Sequence, residues 1–528
     1  MTKSSQTKNQ GLSLGGAFRQ ISSLTAISRI AGFVRDITFA SFLGAGPAAD
    51  AFLVALKLPN MFRRLSAEGA MTNAFLPSFS KTREDDGRRA AILLGAEAQV
   101  FLILALFVLV IVVEIFMPQV IGFLAPGFAA TPDRLAAAID LARITMPYLP
   151  MISIVALWVA IANAHDRFML GAAAPIITNI CFIAGAVAIP FVANDFGVMR
   201  AFPVAIALLV AGLFQLLFLG FLLRRLGAMP PLIWPRVSAA GRRMWRSFVP
   251  SALGAGGMQI NLLVDLILAS LLPVGAISWL YYADRVAQLP LGIVGIALGT
   301  ALLPRLSAAE AAGKTDQVTH ALGDAIALAG FFVLPAVTAL VIIAGPVIGG
   351  LFGYGAFSDN DTAMAAMALC AYAVGLPGFI LVKILQTAFY ATGQPGMVLK
   401  ISVLTVVVNI SGSLIMMPVL GHVGLALATS LSGGVAAIAM LVLLFKQNRL
   451  AVNLEGNPWL GKVARIFGAS LIMAAVLAGL LFAAEPLRAM LPAAGWLAVL
   501  VTAGSVSYGI AALLFGALPR TMMNWLGR

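Results

Sequence analysis

Charge is what this chain has least of. Asp, Glu, Lys and Arg make up 10% of its 528 residues, against 61% hydrophobic residues. A water-soluble fold of this size needs a charged surface, so that ratio excludes a soluble globular protein and points to a polytopic membrane protein. Cysteine is nearly absent: Cys181 and Cys370 lie in apolar runs and offer neither a disulfide framework nor metal-ligand spacing. The histidines, His165, His320 and His422, are scattered over loop-like stretches, which argues against a histidine metal centre. The period-two alternation of a membrane β-barrel is missing as well. No acidic metal cluster, paired catalytic carboxylates or nucleophile–base set stands out, so the chain does not read as an enzyme acting on a polyprenyl phosphate. Residues 1–16 are polar and lack a small-residue cleavage site, and the apolar run after them is full length and charged. They read as a cytoplasmic segment, not a cleaved signal.

What the chain has in abundance is long apolar runs. Taking runs of about 20 residues and the charged or Pro/Gly breaks between them gives about fourteen spans. Their approximate limits are 20–43, 50–79, 91–116, 135–162, 170–193, 201–223, 248–272, 278–303, 324–351, 365–390, 400–418, 424–445, 466–484 and 496–518. One set of loops carries the cations: Lys81, Arg83, Arg88, Arg89, Arg167, Arg224, Arg225, Arg236, Arg242, Arg243, Arg246, Arg305, Lys314, Lys400, Lys446, Arg449, Lys462, Arg465, Arg520 and Arg528. The opposite set carries Arg134, Arg200 and Arg488. The positive-inside rule then puts both termini in the cytoplasm. It also accounts for most of the net charge of +13 without a nucleic-acid partner.

An internal repeat divides these spans. Pro147 and Asn179 are separated by the same interval as Pro377 and Asn409, and 75–80 (FLPSFS) echoes 302–307 (LLPRLS) at nearly the same offset. Pro147 opens one span and Pro175 the next; in the second copy Pro377 and Pro395 do the same. Both copies enter the membrane from the same side. The expected fold is all-α: about fourteen transmembrane helices, in two six-helix lobes related by a parallel pseudo-repeat, with two extra C-terminal helices. The expected boundaries are 1–19 for the cytoplasmic N-terminal segment, 20–223 for the N-lobe and 224–247 for a basic cytoplasmic loop. The C-lobe takes 248–445, a cytoplasmic linker 446–465, the last two spans 466–518 and a cytoplasmic tail 519–528. Repeated lobes around a midplane site are a common build for alternating-access transporters.

The few charges inside the spans then carry the argument. The stretch 28–36, SRIAGFVRD, lies within the first apolar run. A charge at the centre of a membrane helix costs about 3 kcal/mol even on lenient insertion scales, and such residues are retained where they face a wet cavity and bind something. The plainer reading, a structural Arg35–Asp36 pair, leaves Arg29 over. In the second span Asp50, Lys57, Arg64 and Glu68 follow the steps of one helical face, with Arg63 beside them and Pro59-Asn60 interrupting the backbone. The eighth span adds Tyr281-Tyr282-Ala283-Asp284-Arg285 and, one turn on, Gln288. Arg29, Arg35, Lys57, Arg63, Arg64 and Arg285 outnumber Asp36, Asp50, Glu68 and Asp284. A surplus of guanidinium groups in a low-dielectric cavity suits a phosphate or pyrophosphate, whose oxygens arginine matches bidentately. Arg63, Arg64 and Glu68 also admit an interfacial, structural reading. Asp265 is isolated in the seventh span, and Lys383, in the tenth, is the only basic residue that reads as buried in that lobe besides Arg285. Two readings stand: a structural Asp265–Lys383 pair, or a site for Na⁺ or H⁺ coupling.

The combination of Ser28-Arg29, Gly32-Phe33, Arg35-Asp36, Asp50-Ala51-Phe52, Lys57-Leu58-Pro59-Asn60, Arg63-Arg64, Ala67-Glu68-Gly69-Ala70 and Trp279-x-Tyr281-Tyr282-Ala283-Asp284-Arg285 resembles the MurJ (MviN) family. These are lipid II flippases of the multidrug/oligosaccharidyl-lipid/polysaccharide exporter superfamily, and the likeness covers nearly the whole chain. The resemblance implies lipid II, a polyprenyl pyrophosphate bearing the peptidoglycan disaccharide-pentapeptide, as substrate. It implies essential arginines at Arg29, Arg35, Arg63 and Arg285, an acidic position at Asp50, and a glutamate near the cytoplasmic gate at Glu68. Spans 13 and 14 would help to form a groove for the lipid tail. Gln288 stands where some relatives have Glu, a departure that bears on any proton or gating role there. Asp265 matches a position that binds Na⁺ in some relatives and is Asn in others. The expected setting is a bacterial inner membrane and a monomer that binds lipid II and membrane lipids. It needs no cofactor, performs no chemistry on its substrate, and meets cell-wall synthesis proteins as further partners. The rivals are a MATE-like drug or cation antiporter, whose site would be lined by acids, an exporter of another polyprenyl-linked glycan, and a non-transporting scaffold of the cell-wall machinery.

Overall fold

A computed structural model gives the fold and describes residues 14–64, 74–450 and 459–518, with the side chains of 23–64, 74–248, 259–292, 294, 302–450, 459–484 and 486–518. Among these residues the regular structure is helical throughout. The chain divides into two compact units.

The first unit takes in residues 1–43, Ala51–Phe123 and Ala129–Gln259. Its helices are α1 (Leu14–Leu43), most of α2 (Pro47–Arg63), α3 (Leu76–Asp85), α4 (Gly87–Ile115), most of α5 (Met117–Leu124), α6 (Pro132–Thr145), α7 (Tyr148–Ala164), α8 (Met169–Val187), the single turn α9 (Ile189–Val192), α10 (Phe202–Arg225) and the start of α11 (Ala239–Ser270). α1 runs along α8, α10 packs on α7 and α8, and α4 packs on α3 and α7. Two side-chain contacts join helices inside the unit: Trp158 Nε1 donates to Gln99 Oε1 at 2.7 Å, and Gln215 Nε2 donates to Thr178 Oγ1 at 2.7 Å. In a bilayer an unmet polar group has no water to turn to, so such pairs hold helices where apolar attraction gives no preference.

The second unit takes in Gly44–Asp50, Leu124–Phe128 and the chain from Ile260 on. It holds the rest of α11, then α12 (Ala276–Ala311), α13 (Thr315–Ile342), α14 (Ala344–Phe352), α15 (Asp359–Ala391), α16 (Pro395–Leu420), α17 (His422–Lys446), α18 (Trp459–Ala483), the short α19 (Glu485–Met490) and α20 (Ala493–Leu514). α12, α13, α15 and α17 form its centre, α16 covers α17, and α18 joins α13 to α20. α15 and α17 cross closely at small residues: a β-carbon at Gly378 would stand 2.8 Å from the Gly434 backbone nitrogen. Ser358 caps α15 through a reciprocal pair with Asp361, its hydroxyl accepting from the Asp361 N–H at 3.1 Å.

Ten helical stretches among the described residues are long and apolar enough to cross a membrane. Three of the other expected spans overlap α1, α11 and α12, and α2 covers the first part of the fourth, 50–79. The outward faces are apolar, with Phe107, Phe123, Phe191, Val419 and Phe482 all exposed, as expected of surfaces that meet lipid. The chain is a multi-pass membrane protein.

The structure differs from the sequence expectations at two prolines, Pro377 and Pro175. Of the expected second span, 50–79, the described α-helical parts are α2, to Arg63, and α3, which has Pro77 in its first turn. Glu68 lies outside the described residues. Pro147 heads α7 as expected, within a single crossing stretch Pro132–Ala164, because proline has no N–H to extend α6, but its counterpart Pro377 sits inside the unbroken α15 and opens no helix. Pro175 lies inside α8, not at its start, whereas Pro395 does open α16.

Candidate functional site

Ser28, Gly32 and Arg35 fall on one face of α1, because steps of four and three residues return to the same side of a helix. Without a side chain at Gly32 there is room on that face for the Asn179 amide of α8: a β-carbon there would stand 3.5 Å from Asn179 Nδ2. Asn179 is 4% exposed and uses both ends of its amide. Its Nδ2 donates to the Ser28 carbonyl at 3.1 Å, and its Oδ1 accepts from Arg35 Nη1 at 3.0 Å. Arg35 also donates from Nε and Nη2 to Asp36 Oδ1, at 3.0 and 2.8 Å, and its guanidinium lies 5.6 Å from the centre of the Phe182 ring. The guanidinium is thus held by a buried carboxylate, a buried amide and an aromatic face, a preorganised geometry for anion recognition. The Arg35–Asp36 pair is formed, and Arg29 is the cation left over. Arg29 is exposed and has no hydrogen bond or ion pair among the described residues.

Along α2 the cations Lys57 and Arg63 are half-buried and Arg64 is exposed. Asp50, near the other end of the helix, is fully buried and acts as a helix cap for α12. Its Oδ2 accepts from the Gly275 N–H at 2.8 Å, and its Oδ1 accepts from the Ser278 N–H at 3.0 Å and the Ser278 hydroxyl at 2.6 Å. The first N–H groups of a helix lack intrahelical partners and carry partial positive charge, so a carboxylate is stabilised there. Gly275 has φ +98°, a conformation that favours glycine, and a β-carbon there would stand 2.7 Å from the Ala45 carbonyl oxygen. The Tyr282 hydroxyl donates to the Gly44 carbonyl at 3.1 Å and ties the same two segments. Asp50, the first member of the expected stripe with Lys57, Arg64 and Glu68, thus accepts from two backbone amides and a serine hydroxyl.

Arg285 lies on α12 with its guanidinium 4.7 Å from the centre of the Tyr281 ring. Gln288 Nε2 donates to Asp284 Oδ2 one turn away. Trp279, at the head of the same motif, donates from Nε1 to Asp361 Oδ1 at 2.8 Å and stacks near His422 at 5.1 Å, so it anchors α12 to α15 and α17. Asp265 is half-buried on α11, and Lys383 is exposed on α15 and makes no ion pair among the described residues. The expected Asp265–Lys383 pair is not formed, since the exposed Lys383 makes no ion pair among the described residues.

Sequence reasoning used Asn179 as a marker of the repeat and missed its contact with Arg35. The available signal was a lone amide in an apolar run. Its counterpart Asn409 is also fully buried, yet its Nδ2 donates to Thr429 Oγ1 at 3.0 Å and its Oδ1 meets no hydrogen-bond donor among the described residues.

Residues 39–487 match the family model described as lipid II flippase MurJ. That match begins after Arg29 and Arg35, but relatives match the chain further. A probable lipid II flippase MurJ of Rhizobium tropici is 34% identical over 525 residues, covering 97% of this chain and 96% of that protein. The lipid II flippase MurJ of Burkholderia cenocepacia is 33% identical over 472 residues, covering 88% and 90%. A solved structure of the lipid II flippase MurJ in an inward closed conformation superposes with a TM-score of 0.76 at 25% identity, covering 94% of this chain and 98% of that one. An inward-facing MATE family multidrug transporter of the MOP superfamily shares the fold, with a TM-score of 0.63 at 18% identity, covering 82% and 98%.

Proposed function

The chain belongs to the lipid II flippase family MurJ, and on that premise we propose that it carries lipid II from the cytoplasmic to the periplasmic leaflet for cell-wall synthesis. It works by alternating access and does no chemistry on its cargo. The observation that carries this reading is the pair of α1 arginines: Arg35 held on three sides, and Arg29 exposed and unpaired in the same apolar helix. A guanidinium retained at that cost of about 3 kcal/mol needs an anionic partner, and the pyrophosphate of lipid II is one. Lys57 and Arg63 on α2, and Arg64 just past its end, are further cations of the first unit that can serve such an anion, and Arg285 on α12 is a cation of the second unit. The MATE reading shares the fold but calls for an acid-lined site, and the excess here is cationic.

The setting we propose is a bacterial inner membrane with both termini in the cytoplasm, and a monomer that meets cell-wall synthesis proteins. An inside-negative potential favours outward movement of the anionic lipid by about 2.3 kcal/mol per charge per 100 mV. Coupling to Na⁺ or H⁺ would run through Asp265. The decisive experiment replaces Arg29 with Ala and measures lipid II reaching the outer face of cells that depend on this protein. A well-inserted R29A variant should lose most flipping; undiminished flipping would remove the α1 arginines from the mechanism.

A further inference from the structure

Between α10 and α11 the chain runs as a strap across α4. The Arg88 guanidinium donates to the Leu226 carbonyl, and Pro230 packs beside Gly95, 3.6 Å from where a β-carbon would stand. The centre of the strap is fastened by Glu97, a carboxylate 3% exposed in the middle of α4. Its Oε2 accepts from the Ser238 N–H at 3.1 Å and the Ser238 hydroxyl at 2.8 Å, and Arg236 stands 3.7 Å away as its counter-ion. Trp245 then meets Phe101 and Phe248, with ring centres 5.8 and 4.9 Å away. The strap therefore has a fixed inner side.

Its outer side is amphipathic. Leu232 is 78% exposed and Trp234 is 89% exposed. Arg224, Arg242, Arg243 and Arg246 are exposed and make no ion pair among the described residues. Arg242 and Arg243 both share a helix face with Arg246, at four and three residues. Residues 224–247 contain no Asp or Glu, so this patch has one sign. Its depth follows from α4: counting back about 20 residues, the length that spans the hydrocarbon, from Ile115 reaches about position 96. The strap fastens at Gly95 and Glu97, hence at the boundary between hydrocarbon and headgroups.

We propose that this strap is a binding site for anionic phospholipid of the cytoplasmic leaflet. Leu232 and Trp234 enter the interfacial layer, as Trp does at membrane boundaries, and Arg242, Arg243 and Arg246 hold the lipid phosphates. The occupant is bilayer phospholipid rather than the transported lipid, because charge complementarity here is spread along an outward face, not gathered round one buried holder as at Arg35. This site rests on the proposed orientation, with 224–247 on the cytoplasmic side, and not on the flipping reading.

The test uses the full chain in mild detergent, with native mass spectrometry of retained phosphatidylglycerol or phosphatidylcholine. Wild type should keep phosphatidylglycerol in preference, and R242Q/R243Q/R246Q should lose it by about fivefold per arginine removed, the effect of one basic residue near an anionic surface. L232A/W234A should weaken retention of both lipids, while K314Q/K400Q should match wild type. A photoreactive phosphatidylglycerol on the unaltered protein should label 229–247. Equal retention of the two lipids, an unaffected triple-arginine variant, label only elsewhere, or displacement of the phospholipid by undecaprenyl pyrophosphate would each overturn the proposal.

Discussion

Asn179 and Asn409 occupy matching positions in the two copies of the repeat, and the difference between them separates the two units chemically. In the first unit the buried amide accepts from a guanidinium, and α1 brings that guanidinium together with Asp36 and Phe182. In the second unit the matching amide donates to a threonine hydroxyl. The same duplicated frame thus supports a charged holder in one half and a neutral helix contact in the other. Buried carboxylates diverge in the same way. Asp36 answers a side-chain cation, whereas Asp50 answers the N–H groups at the start of α12. In each case the acid is satisfied without water, but only the first arrangement leaves a neighbouring cation, Arg29, open to a ligand.

The largest effect should come from removing that cation. R29A and R35A should each reduce lipid II flipping about a hundredfold, the scale of losing a charge-assisted interaction of up to about 3 kcal/mol. Cell-surface accessibility of lipid II measures this, and R35K should fail as well, since an ammonium cannot span Asp36 and Asn179 at fixed geometry. Removing the carboxylate of Asp50 should show up first in stability. D50A should lower unfolding stability by about 3 kcal/mol, because buried N–H groups lose their acceptor, and D50N should fall between it and wild type in a thermal-shift series.

The comparison between the asparagines is sharpened by N179L against N409L. The first should reduce flipping about tenfold, roughly the worth of one hydrogen bond to a charged group, with R35K/N179L no worse than R35K. The second should leave flipping close to wild type. If both change alike, Asn179 is a packing residue and not a holder of Arg35. The smallest expected effect is at Asp265. D265N should retain flipping but lose any response to an imposed Na⁺ or pH gradient, read in vesicles; a gradient response that survives D265N would place coupling elsewhere.

Much of the architecture was legible from apolar run length, since a span must cover the hydrocarbon and about 20 residues do so. The helix ends were less legible. Pro147 breaks its helix while Pro377 does not, although both look alike in sequence, because the freed carbonyl of a membrane helix can be met by a neighbour that only the folded chain provides. Of the site, the Ser28–Gly32–Arg35 face was readable from helical periodicity. The partner on the other side of that face was not, since Asn179 is remote in sequence and looks like any amide in an apolar run. The Asp265–Lys383 pair was not readable either, because an apolar surround in sequence does not tell which charged side chains the fold brings together.

By itself, the sequence determined that this protein lives in a membrane, that its chain is duplicated, and that its scarce charges gather in a few helices with cations in excess. Those conclusions depend on composition and period, which a chain carries with it before folding. Tertiary structure alone decided which remote groups meet these charges: the amides of α12 for Asp50, the Asn179 amide for Arg35, and none among the described residues for Arg29. The physical reason is that a charge in a low-dielectric interior is governed by groups within about 4 Å, and those neighbours come from distant parts of the chain.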